Sequence, residues 1–301
     1  MTYKTSSNGK ILLTSEYAVL KGALALAIPT KFKQSLIFEQ NDSSSLIWKS
    51  YNSKNKIWFQ CEMLLPNLEL IKSSNKKIGE ILQAILDSAK KINPNFLTKN
   101  NGGMLKTKLD FPNNWGLGSS STLINNIAKW SKTNPYKLLW SNFEGSGYDI
   151  ACAESISPIL YKLENNIPIV KKITFNPSFS KNLFFIHLNK KQNTNKEISL
   201  FKTKNINRKL INVFTDLTKK IISANNLNDF QNCIKKHENF LSEELLIDPI
   251  KKILFEDYEG EIKSLGAWGG DFVLVACEEN PVDYFKNKGY QTVIRYSKMI
   301  L

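Results

Sequence analysis

Residues 112–122 read PNNWGLGSSST: Gly116 and Gly118 flank Leu117, and Ser119, Ser120 and Ser121 open an apolar run after Pro112 has stopped a strand-like segment. Glycines let backbone N–H groups turn toward a ligand, and a helix N-terminus carries about half a positive charge, so together they form an anion cradle. The serine hydroxyls can cap the helix or reach a phosphate-bound Mg²⁺. No GK[ST] follows the glycines, so this is not a Walker loop. Ordinary helix capping would use the same residues. Asp149 follows a Gly-Ser-Gly-Tyr turn and precedes Ile150 and Ala151, which sets a carboxylate beside apolar surface, as a base or as a helix N-cap. Lys10 follows Gly9 and leads into the strand-like ILL, one cation at a fixed point or one more surface lysine. A positioned acceptor, a metal to gather phosphate oxygens and a cation where charge develops are what phosphoryl transfer to an alcohol requires.

The loop does not stand alone. Together with residues 7–22 (SNGKILLTSEYAVLKG) and 263–271 (KSLGAWGGD) it resembles the three motifs of the GHMP kinases, the ATP-dependent small-molecule kinases. The family's loop runs PxxxGLGSS, and Pro112, Gly116, Leu117, Gly118, Ser119 and Ser120 match it in place. Its first motif is close to PGKLLLxGEYAVLxG and its third to KxSGAGGGD. Residues 145–151 (GSGYDIA) resemble the region of the catalytic aspartate. Four matches in the family's order along nearly the whole chain are far more specific than any one of them.

The resemblance implies roles. Asp149 accepts or orients the acceptor's hydroxyl proton, and Lys10 pairs with it, keeps it ionised and steadies the transferring phosphate. The residues from Pro112 through Gly116, Leu117, Gly118, Ser119, Ser120 and Ser121 hold ATP, with Ser120 the better Mg²⁺ candidate. Glu16 organises the site or forms a surface salt bridge. Gly266, Gly269 and Gly270 let backbone pass close to nucleotide or substrate, or form a tight hairpin. The chain also departs from the pattern. Asn8 stands where the family has proline, Ser15 where it has glycine, Ser121 where it has alanine, and Trp268 where it has a central glycine, so a bulky ring is expected near the acceptor pocket. The metal-binding glutamate that mevalonate kinases carry eleven residues before the aspartate is here Leu138; Glu144, five residues before it, is the remaining acidic Mg²⁺ candidate.

SEYAVL and the GGD ending at Asp271 lean toward the mevalonate pathway, with mevalonate or 5-phosphomevalonate as acceptor. Galactokinase-like sugar signatures are not evident. A kinase of this family for another small alcohol or sugar, or a non-catalytic basic nucleic-acid-binding protein, are the alternatives.

These residues need elements to hold them. Strands are read over 11–13, 46–51, 57–62, 105–111, 159–163 and 169–173, then 183–188, 261–265, 272–276 and 291–296. Ile78, Ile81, Leu82, Ile85, Leu86 and Ala89 recur at helical spacing, and helices follow over 119–132, 135–142, 206–224, 227–244 and 249–255, with another between the last two strands. This is an α+β chain, with a lobe over 1–175 followed by one over 176–301. The resemblance implies a β/α first lobe of a kind shared with some ribosomal proteins and a ferredoxin-like second lobe.

Composition sets the outer bounds. The chain has 301 residues, 42% of them hydrophobic, and a net charge of 41 − 27 = +14. It can bury a large core, which excludes disorder and a disulfide-stapled miniprotein. The charge invites a nucleic-acid reading, yet only Arg208 and Arg295 are arginine, and dispersed lysine mostly makes a solvated surface. No nucleic-acid partner is expected. Cys61, Cys152, Cys233 and Cys277 form no CxxC pair, and only His187 and His237 could assist them, so free thiols in a reducing compartment are expected rather than zinc. Residues 22–29 (GALALAIP) are too short to span a membrane and lack a signal-peptide layout, which points to a soluble cytoplasmic protein.

Overall fold

The computed structural model describes residues 1–189, 208–266 and 270–301. The chain divides into two units, and each is assembled from several stretches of sequence. The strands β1 (Thr2–Leu12) and β2 (Ala25–Gln40) contribute to both.

The first unit comprises Met1–Gly9, Phe32–Asn113 and Gly118–Glu154. Here β3 (Ser45–Tyr51), β4 (Ile57–Leu64), β5 (Glu69–Ser73) and β6 (Gly103–Leu109) join the later part of β2 in the order β5-β4-β3-β6-β2. β3 runs parallel to β6, and the other neighbours are antiparallel. Alternate residues of β3 are buried, as expected of a sheet covered on one face, and Leu46 and Trp48 enter the core beside Phe59 and Leu105. Helix α1 (Lys76–Ile92) closes that face with Leu82, Ile85, Leu86 and Ala89; Asn75 caps it by accepting the Ile78 N–H. Helices α2 (Ser119–Ser131), α3 (Pro135–Trp140) and α4 (Tyr148–Glu154) complete the unit, with α2 packed on α1, α3 and α4.

A buried polar network sets the position of α2. Ser7 donates to Asn126 at 2.8 Å, Asn125 donates to Ser7 at 3.0 Å, and Asn126 donates to the Gln34 carbonyl at 2.8 Å. Buried amides carry a large penalty unless paired, so these bonds favour one seating of the helix over its neighbours.

The second unit comprises Lys10–Lys31, Asn114–Leu117 and Ser155–Leu301. The start of β2 pairs with β7 (Ile159–Glu164), which pairs with β8 (Ile167–Lys172). A separate antiparallel sheet has the order β10-β11-β9-β12, from β9 (Leu183–His187), β10 (Glu261–Leu265), β11 (Phe272–Ala276) and β12 (Val293–Arg295). Every residue of β9 and β11 is buried, which explains why both read as continuous apolar runs. Helices α5 (Arg208–Ser223) and α6 (Leu227–Leu245) pack on each other, and α6 and α7 (Ile250–Leu254) lie on β10; α8 (Val282–Asn287) and α9 (Tyr296–Met299) are short. A mixed α and β chain with two sheets agrees with the expected fold class.

Some elements differ from the sequence reading. The apolar stretch at 22–29 opens β2, a buried strand that runs on to Gln40. β5 leaves no signal in the sequence because it is a short edge strand with no fully buried residue, and α4 is too short to show a period. The strand read over 291–296 shrinks to Val293–Arg295. The helix read over 206–224 is described from Arg208, and its first two residues lie outside the described residues. All four cysteines are free thiols. Among the described residues no helix is long and apolar enough to cross a membrane.

Candidate functional site

In the second unit, segment 114–117 is held at Asn114, Trp115 and Leu117 and packed closely at Gly116. The Lys10 backbone N–H donates to the Leu117 carbonyl at 3.0 Å, tying the end of β1 to the loop. Gly116 takes a φ of +63°, and a Cβ there would lie 2.0 Å from the Asp271 carboxylate, so only glycine fits. Trp115 meets Phe272 edge-to-face, ring centroids 5.4 Å apart. His187, at the end of β9, accepts the Asn189 N–H on Nδ1 at 3.3 Å, which assigns its Nε2–H as donor to the Asn114 carbonyl at 3.1 Å. In the sequence alone His187 stands out only as a possible zinc partner and Asp271 only as the end of a motif. Neither clamp is visible without the strand pairing that brings β9 beside β11.

The loop continues in the first unit. Gly118, at φ +85°, is the N-cap of α2 and offers no side-chain cap. Thr122 N–H makes the first helical bond to the Gly118 carbonyl at 2.9 Å, so the N–H groups of Ser119, Ser120 and Ser121 precede the helical ladder. Ser121 is buried and donates its hydroxyl to the Gly118 carbonyl at 2.9 Å. The serine that replaces the family's alanine therefore braces the turn from behind. Ser120 lies exposed and Ser119 and Pro112 half-buried.

Asp149 sits half-buried in the first turn of α4, which packs on α2. The preceding turn is shaped by Gly145 at φ +146° and Gly147 at φ +85°. Trp140 donates its ring N–H to the Gly145 carbonyl at 3.1 Å, and a Cβ on Gly147 would press on Tyr136 and Trp140 at 3.1–3.3 Å. Leu138 is fully buried in the core of this unit, and Glu144 is exposed in the turn before α4. Asn8, in place of proline, is buried within β1.

Glu16 corrects one alternative: its ion pair is not at the surface. It is 2% exposed and its Oε1 lies 2.6 Å from Lys263 Nζ, itself 0% exposed on β10. Burial pushes the Glu16 carboxyl up, against the pull of Lys263. The neighbouring Ser15 takes a φ of +62°, a left-handed conformation that explains glycine at this position in the family. Here the serine is held by three bonds: its N–H donates to His237 Nε2 at 2.8 Å, its hydroxyl donates to the Leu24 carbonyl at 2.7 Å, and it lies 3.2 Å from the Thr218 hydroxyl. Gly266 is at φ +70° with open space beyond it, and Gly270 is buried. Trp268 and Gly269 lie outside the described residues.

No family model and no curated protein sequence matches the chain. Solved structures do match. Methanococcus jannaschii mevalonate kinase aligns over 97% of this chain and 96% of its own, with a TM-score of 0.70 at 16% identity. The chain has the GHMP kinase fold. Streptococcus pneumoniae phosphomevalonate kinase, in complex with phosphomevalonate and AMPPNP, matches with a TM-score of 0.67 at 15% identity, over 99% of this chain and 98% of its own. Lactococcus lactis galactokinase, complexed with galactose, matches with a TM-score of 0.66 at 13% identity, over 97% and 92%.

In the first unit, the left-handed Gly118 precedes a helix of 13 residues that has no side-chain cap, a start whose N–H groups could hold an anionic group such as a nucleotide phosphate. Among the described residues no group of three His, Cys, Asp or Glu side chains could hold a metal.

Proposed function

We propose that the chain is an ATP-dependent kinase of the GHMP family that phosphorylates the hydroxyl of mevalonate or 5-phosphomevalonate in the cytoplasm. The observation that carries the reading is the loop: an uncapped α2 N-terminus behind two left-handed glycines, held at Asn114, Trp115 and Leu117. The four motif resemblances and the fold support it.

In this reading Pro112, Gly116, Leu117, Gly118, Ser119, Ser120 and Ser121 form the ATP loop, and N–H groups of the α2 start bind phosphate oxygens. Asp149 takes the proton of the acceptor hydroxyl as its oxygen forms the new bond to the γ-phosphorus of ATP and the bond from that phosphorus to the bridging oxygen breaks, releasing ADP, and Lys10 offsets the charge developing on the transferred group. Ser120 would hold Mg²⁺, which supplies charge neutralisation of the phosphates; Glu144, in an exposed turn, is the weaker candidate. Glu16 shapes the turn after β1, and Gly266, Gly269 and Gly270 give the backbone its close approach to nucleotide or substrate. We assign the first catalytic lobe to residues 1–175 and the second to 176–301.

A second acceptor class stays in view because galactokinase matches the fold about as closely as phosphomevalonate kinase, with TM-scores of 0.66 and 0.67. A coupled ADP-release assay with mevalonate, 5-phosphomevalonate, homoserine and galactose separates them. ADP with one of the first two supports the assignment, ADP with galactose or homoserine alone moves the acceptor, and none above background with any of the four removes the substrate claim.

A further inference from the structure

Four ionisable side chains, Glu16, His237, Glu238 and Lys263, lie together inside the second unit, each at most 2% exposed. They come from three places: the turn after β1, helix α6 and strand β10. Lys263 Nζ is 2.6 Å from Glu16 Oε1 and 3.5 Å from Glu238 Oε1, and it donates to the Ser264 carbonyl at 3.0 Å. Glu238 Oε2 accepts the Ser264 N–H at 3.0 Å. His237 faces the same space, with Nε2 3.5 Å from Glu16 Oε2.

The charges do not balance as drawn at neutral pH. His237 is neutral: its Nε2 lone pair accepts the Ser15 N–H, its Nδ1 has no acceptor among the described residues, and burial with Lys263 nearby holds it well below the ordinary imidazole range. Helix α5 brings only the Thr218 hydroxyl, since its charged residues Arg208, Lys209, Asp216, Lys219 and Lys220 are exposed. Among the described residues, one ammonium therefore faces two carboxylates. A second ionised carboxylate would be buried without a counter-charge, which is far more costly than binding a proton. The unsatisfied atom lies where such a cost would fall, because Glu16 Oε2 is buried and accepts no hydrogen bond among the described residues.

We propose that Glu16 and Glu238 share one proton across Lys263, and that this neutral cluster is a latch holding the turn at residues 15–17 to the strand that leads into Gly266. The proton belongs to the pair rather than to either residue. Glu238, His237 and Lys263 are positioning residues. The bearing of the latch on catalysis rests on the kinase reading, whereas the shared proton does not.

Burial pushes the Glu238 carboxyl up to about 7, opposed by Lys263 and the Ser264 N–H and reinforced by Glu16. A carboxyl whose folded-state pKa is raised makes the native state bind more protons than the unfolded chain. Its stabilisation is complete below the ordinary carboxylate range and is lost as pH rises through the folded-state value.

The test is urea unfolding of the full chain across pH, for the wild type, Glu238→Gln and Glu16→Gln. The wild-type midpoint should fall from about pH 4.5 to about pH 7 and level off above it, and either glutamine should flatten that fall, since one carboxylate then remains for one ammonium. A flat wild-type profile, or a fall that survives in both variants, overturns the proposal. Should the variants not fold, carboxyl ¹³C NMR of glutamate-labelled wild type decides instead. One glutamate titrating near neutrality supports the shared proton, and all of them titrating in the ordinary range refutes it. Neither measurement involves ATP or an acceptor, so its failure is distinct from failure of the kinase assignment.

Discussion

Ser15 illustrates how a departure from a family pattern can be absorbed by its surroundings. A left-handed serine is strained, and it is held through Leu24, Thr218 and His237, the last of which lies 222 residues away in sequence. Ser15→Ala keeps the strain and removes one of the two hydroxyls that donate to the Leu24 carbonyl, the other being Thr218 at 2.9 Å, so it should cost about 0.5–1.5 kcal/mol in urea unfolding. Ser15→Gly loses the same hydroxyl but relieves the strain, and its cost should be the smaller of the two. Asp149 calls for a different readout. Asp149→Asn keeps the shape of the α4 turn and removes the base, so turnover should drop by about 10²–10⁴-fold while ATP still raises the unfolding temperature. Near-normal turnover would remove Asp149 from its role.

Loops and strand ends carry the next level of argument. The loop at 114–117 owes its shape to elements distant in sequence: β9 through His187, and the start of β11 through Phe272 and the adjoining Asp271. His187→Phe retains an aromatic ring beside Phe272 but loses the bond to Asn114. It should raise the KM for ATP more than it lowers kcat, and an equal fall in both would contradict a loop-holding role. Gly116→Ala should destabilise more than Gly266→Ala. Both incur about 1–2 kcal/mol for a left-handed alanine, but only the first collides with Asp271. Combining Gly116→Ala with Asp271→Ala should narrow the difference in a double-mutant cycle. Local pattern makes α1, α2 and β6 legible in the sequence, because helical spacing, a Gly/Ser start and strand alternation are short-range signals. It does not reveal β2, whose early residues are buried on both faces and show no period, nor the ties made by His187, His237 and Glu238, which depend on folding across the chain. Glu16 and Lys263 each belong to a motif, and only the fold shows that the two motifs meet through a buried ion pair.

For the molecule as a whole, the net charge of +14 narrows to specific places. One lysine, Lys263, is wholly buried between carboxylates, and Lys10 has its backbone bound to the Leu117 carbonyl. Several others, including Lys76, Lys219, Lys235 and Lys252, make exposed ion pairs of the kind that adds about 0–1 kcal/mol each and weakens with salt. A nucleic-acid-binding protein and a kinase on this fold therefore differ in what stabilises them. The most direct measurement is thermal unfolding of the full chain with ATP and Mg²⁺, compared with duplex DNA. The account predicts a midpoint that rises with ATP concentration, fails to rise in Gly116→Ala, and is unmoved by DNA at physiological salt, since a ligand specific to the native state must stabilise it. A midpoint indifferent to ATP and raised by DNA would contradict it.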